Sequence, residues 1–248
     1  MILEVYETQE AAPRTSRPDL AVVIDVLRAT SMMVTSLANG ISCVWPVAEV
    51  EDALRLKTEL GDEQVLLAGE RQAVAPQGFD LGNSPLSFLS RRWQGYKLIA
   101  CTSNGTRAIH LLRESERLIL GSFLNAAATA RCILQRVEEE TATVWLVCSG
   151  TQGSFSLDDF LCAGAIADAC LALEDRSWVL NDQALAALAL WQVKRNALRE
   201  TLVACRHGRR LADLGFQNDL AFCAQLDQYD LIAVRQFDSQ GRPVIRIG

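Results

Sequence analysis

The stretch Ala21-Val22-Val23-Ile24-Asp25-Val26-Leu27-Arg28-Ala29-Thr30-Ser31 constrains this chain more than any other. Its apolar start shows no alternation, as expected of a strand buried on both faces, and such strands belong to parallel sheets covered by helices. The strand ends in a carboxylate and a guanidinium, and the carboxyl end of a strand is where open α/β sheets bind ligands. A carboxylate can hold a divalent cation, arginine can fork onto a phosphate or sulfonate, and Ala-Thr-Ser can open a helix whose free N–H groups attract anions. This corner is a candidate site for a negatively charged small molecule.

The rest of the chain repeats the pattern. Apolar runs predict strands at Leu20–Val26, Cys43–Pro46, Val65–Ala68, Lys97–Cys101, Arg117–Leu120, Thr143–Cys148 and Leu231–Arg235. Helical spacing predicts helices at Thr30–Ala38, Val50–Leu60, Thr106–Leu112, Ala126–Glu138, Leu157–Leu173, Gln183–Arg199 and Phe216–Leu226. Asn125 and Asp182 are the expected N-caps, and Ser156-x-x-Asp159 reads as a capping box. The expected fold is α/β, a mostly parallel sheet between two helical layers. The 248 residues suit one α/β domain, with a weak break at Gln94-Gly95 that would divide two similar halves, 1–94 and 95–248.

Charge and cysteine usage narrow the function. A net charge of −6 argues against nucleic acid as partner, and it obliges an anionic substrate to find local positive charge. Only Lys57, Lys97 and Lys194 are lysines among the 24 basic residues, so arginine supplies that charge. Arg28 and Arg71 stand out because each follows an apolar strand. Eight cysteines without a C-x-x-C pair argue for core packing rather than zinc or disulfides. No apolar run reaches membrane-span length and the N-terminus does not resemble a signal peptide, so a cytoplasmic protein is expected.

Three further segments carry candidate chemistry. The aperiodic stretch from Gly69 to Pro85 is too long for a simple connection; Phe79, Leu81 and Leu86 argue that it is ordered, and it is expected to close over a ligand with Glu70 and Arg71. Thr102-Ser103-Asn104-Gly105-Thr106 follows a strand and precedes a helix, so its N–H and hydroxyl groups can cradle an oxyanion. Ser149-Gly150 follows another strand on the same grounds. Each has an ordinary alternative: Asp25 as a helix cap, Glu70–Arg71 as a surface ion pair, Asp80 as a turn cap, and Asp158 and Asp159 as carboxylates favoured at a helix start.

Three phosphatase signatures are only partly present. Cys101 to Arg107 has the C-x5-R spacing, without the usual flanking His and Ser/Thr. Arg206-His207-Gly208 imitates an RHG motif but lies late in the chain, where it reads as a helix end with only His110 as a possible partner. Asp25 opens a D-x-D pattern that fails at Leu27.

Taken in order, DVLRATS (25–31), AGER (68–71), GFDLGNSP (78–85), TSNGTRA (102–108), GSFLNA (121–126), CSG with SLDD (148–159) and GFQND (215–219) closely resemble the 2-phosphosulfolactate phosphatases, the ComB-like enzymes of coenzyme M biosynthesis. The resemblance implies a magnesium-dependent hydrolase that converts (R)-2-phospho-3-sulfolactate to 3-sulfolactate and phosphate. The expected partner is a small phosphorylated anion, with no nucleic acid and no membrane, and a homo-oligomer, taken as a dimer, is expected. Under the resemblance, Asp25, Arg28, Glu70, Arg71 and Asp158 are the catalytic candidates. Asp25, Glu70, Asp80 and Asp159 are the metal candidates, and Asn83, Ser84, Thr102, Ser103, Asn104, Gly105, Thr106, Ser149 and Gly150 the substrate-binding ones. The alternatives are a phosphatase of another small anionic organic phosphate and a catalytically silent anion-binding or regulatory protein.

Overall fold

The computed structural model describes every residue except 138, 140 and 174–176. In chain order its elements are β1 (Ile2–Tyr6), β2 (Leu20–Ile24), α1 (Ala29–Ala38), β3 (Val44–Val47), α2 (Val50–Leu60), β4 (Val65–Gly69), β5 (Lys97–Cys101), α3 (Gly105–Leu111), β6 (Arg117–Gly121) and α4 (Ala126–Arg136). Then come β7 (Thr143–Cys148), α5 (Leu157–Leu173), β8 (Val179–Leu180), α6 (Asp182–Lys194), α7 (Leu198–Ala204), α8 (Arg206–Asp213), α9 (Gln217–Cys223), β9 (Ala233–Phe237) and β10 (Pro243–Ile247).

One sheet holds all of these strands, in the order β4-β5-β3-β10-β9-β6-β2-β7-β1-β8. The strands β4, β5 and β3 are mutually parallel, as are β6, β2, β7, β1 and β8. Between these two units lies the antiparallel β9–β10 hairpin, which meets β3 through the pair Ile245↔Val44 and β6 through Ile119↔Val234 and Leu120↔Ala233. Those joins are short beside the five-residue registers inside each unit, so the units are coupled through the narrowest part of a twisted sheet. β5, which follows the Gln94-Gly95 break, lies between β3 and β4.

Strand β2 shows why the fold is layered. Leu20, Val22 and Ile24 pack into a core with α4, α5 and α6, whereas Ala21 and Val23 face α1 and α3 on the other side. A smaller core places Ala53 and Leu56 of α2 against β3, β4 and β5. Successive side chains of a strand point to opposite faces, so a run buried at every position needs helices on both sides. The three-layer α/β expectation holds.

Several boundaries differ from expectation. β1, β8 and β10 were not anticipated: β8 is two residues long, and β10 begins with Pro243 and carries Arg246, so neither has a clear apolar period. The helix expected over Gln183–Arg199 ends at Lys194, and a separate helix, α7, begins at Leu198. Asn181 rather than Asp182 caps α6, its side chain accepting from the Ala184 N–H at 2.8 Å. Asn125 turns back to Ser122, whose N–H and hydroxyl it accepts at 2.9 Å, instead of capping α4. α4 stops at Arg136, and the expected terminus at Glu138 lies outside the described residues. Among the described residues no helix is long and apolar enough to cross a membrane.

Candidate active site

The β2–α1 corner is locked by its own hydroxyls. Thr30 Oγ1 accepts from the Asp25 N–H at 3.1 Å and donates to the Asp25 carbonyl at 2.8 Å, and Ser31 Oγ donates to the Val26 carbonyl. The Asp25 N–H and carbonyl and the Val26 carbonyl are thus satisfied within the corner, which leaves the Asp25 side chain to define the site. One carboxylate oxygen accepts from the Ala29 N–H at 3.1 Å. A Cβ on Gly105 would lie 2.8 Å from the other oxygen and 2.6 Å from the Ala29 methyl, so only glycine lets α3 start this close. Burial pushes the Asp25 carboxyl up to about 7; Asp158 and Glu70 push the same way, and the N–H groups of Ala29 and Gly105 act against them.

Around Asp25 lies a cleft of about 320 Å³ lined by residues from both parallel units. It includes Arg28 beside β2, Glu70 to Ala73 and Asn83 after β4, Thr102 to Asn104 after β5, Thr151 and Gln152 after β7, and His207 and Arg210 from α8. Cross-links between the loops hold it together. Glu70 accepts from the Ser103 N–H and the Ala73 N–H, each at 2.8 Å, and Asn104 Oδ1 accepts from the Gln152 N–H at 3.3 Å. Within the β5 turn, Thr102 and Thr106 bond each other reciprocally through hydroxyl and backbone.

Arg28 is buried in the wall, with its guanidinium over the Phe216 ring at 4.1 Å and Nη1 donating to Asp219. Ser84 donates to the other Asp219 oxygen at 2.7 Å, which ties the long loop to α9. The remaining Arg28 N–H groups have no protein acceptor among the described residues, so they are available to an anion at the cleft. Asn83 is also buried at the cleft, and its Oδ1 has no partner. A buried orphan of this kind is expected where a ligand completes the site.

The sequence candidates divide sharply. Asp25, Arg28, Glu70, Arg71, Asn83, Thr102, Ser103 and Asn104 line one cleft. Asp80 does not: it accepts from Lys57 Nζ and the Leu67 N–H, both at 2.7 Å, and fastens the base of the long loop. Asp159 does not either, since its two oxygens accept from the N–H groups of Val26 and Gly150 at 2.8 and 3.1 Å. It is an internal clamp between β2 and the β7 loop, and it does not close a capping box with Ser156. The four-carboxylate metal set is therefore not assembled; no cluster of three or more metal-binding side chains occurs among the described residues. Of the substrate-binding candidates, Ser84, Gly105, Thr106, Ser149 and Gly150 lie outside the lining. Asp158 lines an adjoining pocket that shares Thr151 and His207 with the cleft.

Arg71 lines the cleft but faces its own frame. It donates to the carbonyls of Glu70 and Ala48 at 2.9 and 2.5 Å and lies 3.2 Å from Cys101 Sγ. The Cys101 thiol is fully buried, and that burial raises its pKa despite Arg71. Arg107 lines a separate cavity from the one that Thr102 to Asn104 line, so the C-x5-R spacing does not form a phosphate loop. His110 lines that same cavity and bonds the Pro46 carbonyl, so it does not partner His207. His207 is not at a helix end but in the first turn of α8. His207, Gln152 and Arg210 are cleft residues the sequence did not single out as such; Asp219 lies in the GFQND motif, but nothing in the sequence pairs it with Arg28 across 191 positions.

The family described as 2-phosphosulpholactate phosphatase matches residues 6–237. Relatives named "probable 2-phosphosulfolactate phosphatase" include one from Caldanaerobacter subterraneus subsp. tengcongensis, 40% identical over 94% of both chains. Another, from Microcystis aeruginosa, is 37% identical over 94% of this chain and 95% of its own. A third, from Symbiobacterium thermophilum, is 42% identical over 87% of this chain and 90% of its own.

Proposed function

The chain belongs to the 2-phosphosulpholactate phosphatase family, and from that premise we propose that it hydrolyses (R)-2-phospho-3-sulfolactate to 3-sulfolactate and phosphate with magnesium as cofactor. The observation that carries this reading is the pairing, in one cleft, of a buried carboxylate with a buried guanidinium whose remaining donors are open. A substrate with phosphate, sulfonate and carboxylate groups needs such donors, and the N–H groups and hydroxyls of Thr102 to Asn104 extend the anion-binding wall.

The donor set suits magnesium. This ion takes oxygen ligands, keeps several waters and relies on one or two protein groups plus substrate phosphate. Asp25 and the unpartnered Asn83 Oδ1 would hold it; burial, with Asp158 and Glu70 adding to it, raises the Asp25 pKa, and a cation would offset that penalty on the ionised form. When bound, the ion supplies charge neutralisation on the phosphoryl oxygens. Arg28 then orients the substrate, with Asp219 and Phe216 fixing its plane, while the walls of the cleft limit water around the ester.

Phosphate release from (R)-2-phospho-3-sulfolactate, measured with magnesium and with excess chelator, tests the reading. Turnover that chelation abolishes and magnesium restores is the expected result. Full activity in chelator overturns the metal assignment, and faster turnover of a phosphate ester lacking the sulfonate overturns the substrate.

A further inference from the structure

His207 borders the cleft, and its other ring nitrogen is engaged at the back. Nδ1 lies 3.3 Å from Thr151 Oγ1, Thr151 Oγ1 lies 3.2 Å from Ser156 Oγ, and Ser156 Oγ donates to Asp158 Oδ1 at 2.8 Å. Hydrogen counting gives this chain a direction. Asp158 Oδ1 accepts from Ser156, so the one hydroxyl hydrogen of Ser156 is committed to it. Ser156 must then accept from Thr151, whose single hydrogen is committed in turn. Thr151 can therefore only accept from His207, which must carry its hydrogen on Nδ1. Nε2 has no protein partner among the described residues and is the nitrogen left to work.

We propose that His207 is the proton donor to the leaving oxygen of the phosphate ester, acting through Nε2, with Thr151, Ser156 and Asp158 as its positioning residues. This assignment rests on the phosphatase reading above and extends it to a group that reading does not use. Water's oxygen forms a bond to phosphorus as the ester P–O bond breaks. The departing electron pair stays on the substrate oxygen, which takes the proton from Nε2 and leaves as the alcohol. The donor is the imidazolium; the attacking water releases one proton to solvent and solvent returns one to Nε2, so ester plus water becomes alcohol plus phosphate and the imidazolium is restored.

The surroundings support that role. Burial lowers the His207 pKa; Asp158 behind the ring and Glu70 across the cleft raise it, while Arg28 and Arg210 lower it. Asp25 lines the same cleft. A bound phosphate dianion adds negative charge, so it favours the imidazolium when substrate is present. The Cys205 side chain caps α8 by accepting from the Gly208 N–H at 3.2 Å, which fixes the turn that carries the ring.

Two measurements decide it. With only His110 and His207 in the chain, nitrogen NMR of the resting protein can assign each ring by substitution of the other. His207 is expected as the Nδ1–H tautomer, shifting toward Nε2–H in Thr151→Val; an Nε2–H tautomer in the parent overturns the relay. In kinetics, His207→Gln should lower kcat about 10²- to 10⁴-fold on the alkyl phosphate. On p-nitrophenyl phosphate, whose leaving group needs no proton, it should lose less than about tenfold. Asp158→Asn removes a charge that favours the imidazolium, so the alkaline limb of the pH–rate profile should move to lower pH, which a purely structural role would not cause. Equal losses on both esters, or an unmoved limb, overturn the proposal. A parent that hydrolyses neither ester overturns the phosphatase reading instead, and the tautomer still tests the relay.

Discussion

Two strand-end corners of this molecule pair an acid with an arginine, and they use the pair in opposite ways. At the β2 corner, Arg28 is buried yet gives Asp219 a single N–H, and burial raises the Asp25 carboxyl to about 7. At the β4 corner, Arg71 is half-buried yet its Nη1 and Nη2 hold carbonyls of β3's end and of Glu70, while Glu70 accepts two backbone N–H groups. Exposure is thus a poor guide to function. What distinguishes the corners is how much bonding capacity the protein itself leaves unused.

Substitution of Asp25 should produce the largest effect. Asp25→Asn removes the charge that would hold the cation, and turnover should fall by about three orders of magnitude or more, as for loss of a group that acts in the transition state. Stability should move the other way. The Asp25 pKa of about 7 stands above its ordinary value of 3.8, so the unfolded chain gives up the proton first. Its contribution is most favourable below about pH 4 and is lost as pH rises through 7. Chemical denaturation at pH 5 and pH 8 should therefore show a smaller drop in Asp25→Asn than in the parent. An unchanged drop would mean that the carboxylate is not held against its charge.

Arginine substitutions test the comparison directly. Arg28→Lys keeps charge but loses the planar fork, so substrate binding should weaken by about 1–3 kcal/mol with little change in kcat. Arg71→Lys should leave KM within about threefold and instead destabilise the fold by about 1–2 kcal/mol, since its bonds to the Ala48 and Glu70 carbonyls belong to the frame. The long loop was expected to supply Arg71 as a ligand clamp, an expectation that would have left the empty protein's stability untouched. A KM effect larger at Arg71 than at Arg28 would restore that view and break the contrast.

The two corners also differ in how far their roles could be read from sequence. Strands β5 and β7 and helices α2 and α5 match the periodicity to the residue, because long apolar runs fix their own element type. Asp25 and Arg28 were legible because their spacing places them at the end of such a run. The division of labour was not: whether Asp159 meets a metal or two backbone N–H groups depends on where β2 and the β7 loop approach, and no local pattern encodes that. The His207–Thr151–Ser156–Asp158 chain joins residues about 50 positions apart and was invisible for the same reason. The β9–β10 hairpin was half seen, as β9 alone, because β10 opens with a proline and its apolar residues are interrupted by Arg246.

The smallest expected effect separates the rims of the cleft. Arg71 to Val74 and Thr151 to Ser154 each form a tight turn with both backbone bonds closed, and both central residues have positive φ: 57° and 70° at Gln72 and Ala73, 54° and 72° at Gln152 and Gly153. Such turns favour Asn-Gly or Gly, so neither Gln-Ala nor Gln-Gly announces one. The β7 turn has a glycine where its strain is greatest; the β4 turn has none and is held by the Glu70 carboxylate bonding the Ala73 N–H. A Cβ on Gly153 would meet nothing within 4 Å, so Gly153→Ala should cost about 1 kcal/mol of backbone strain alone. Gln72, exposed and with φ of 57°, offers the reverse exchange. Gln72→Gly should stabilise by a few tenths to about 1 kcal/mol, the relief of strain being partly offset because glycine loosens the unfolded chain. Urea midpoints of the two variants measure both terms. If Gln72→Gly instead destabilises and raises KM, the Gln72 side chain meets substrate, and the β4 corner regains a share of recognition that its arginine does not provide.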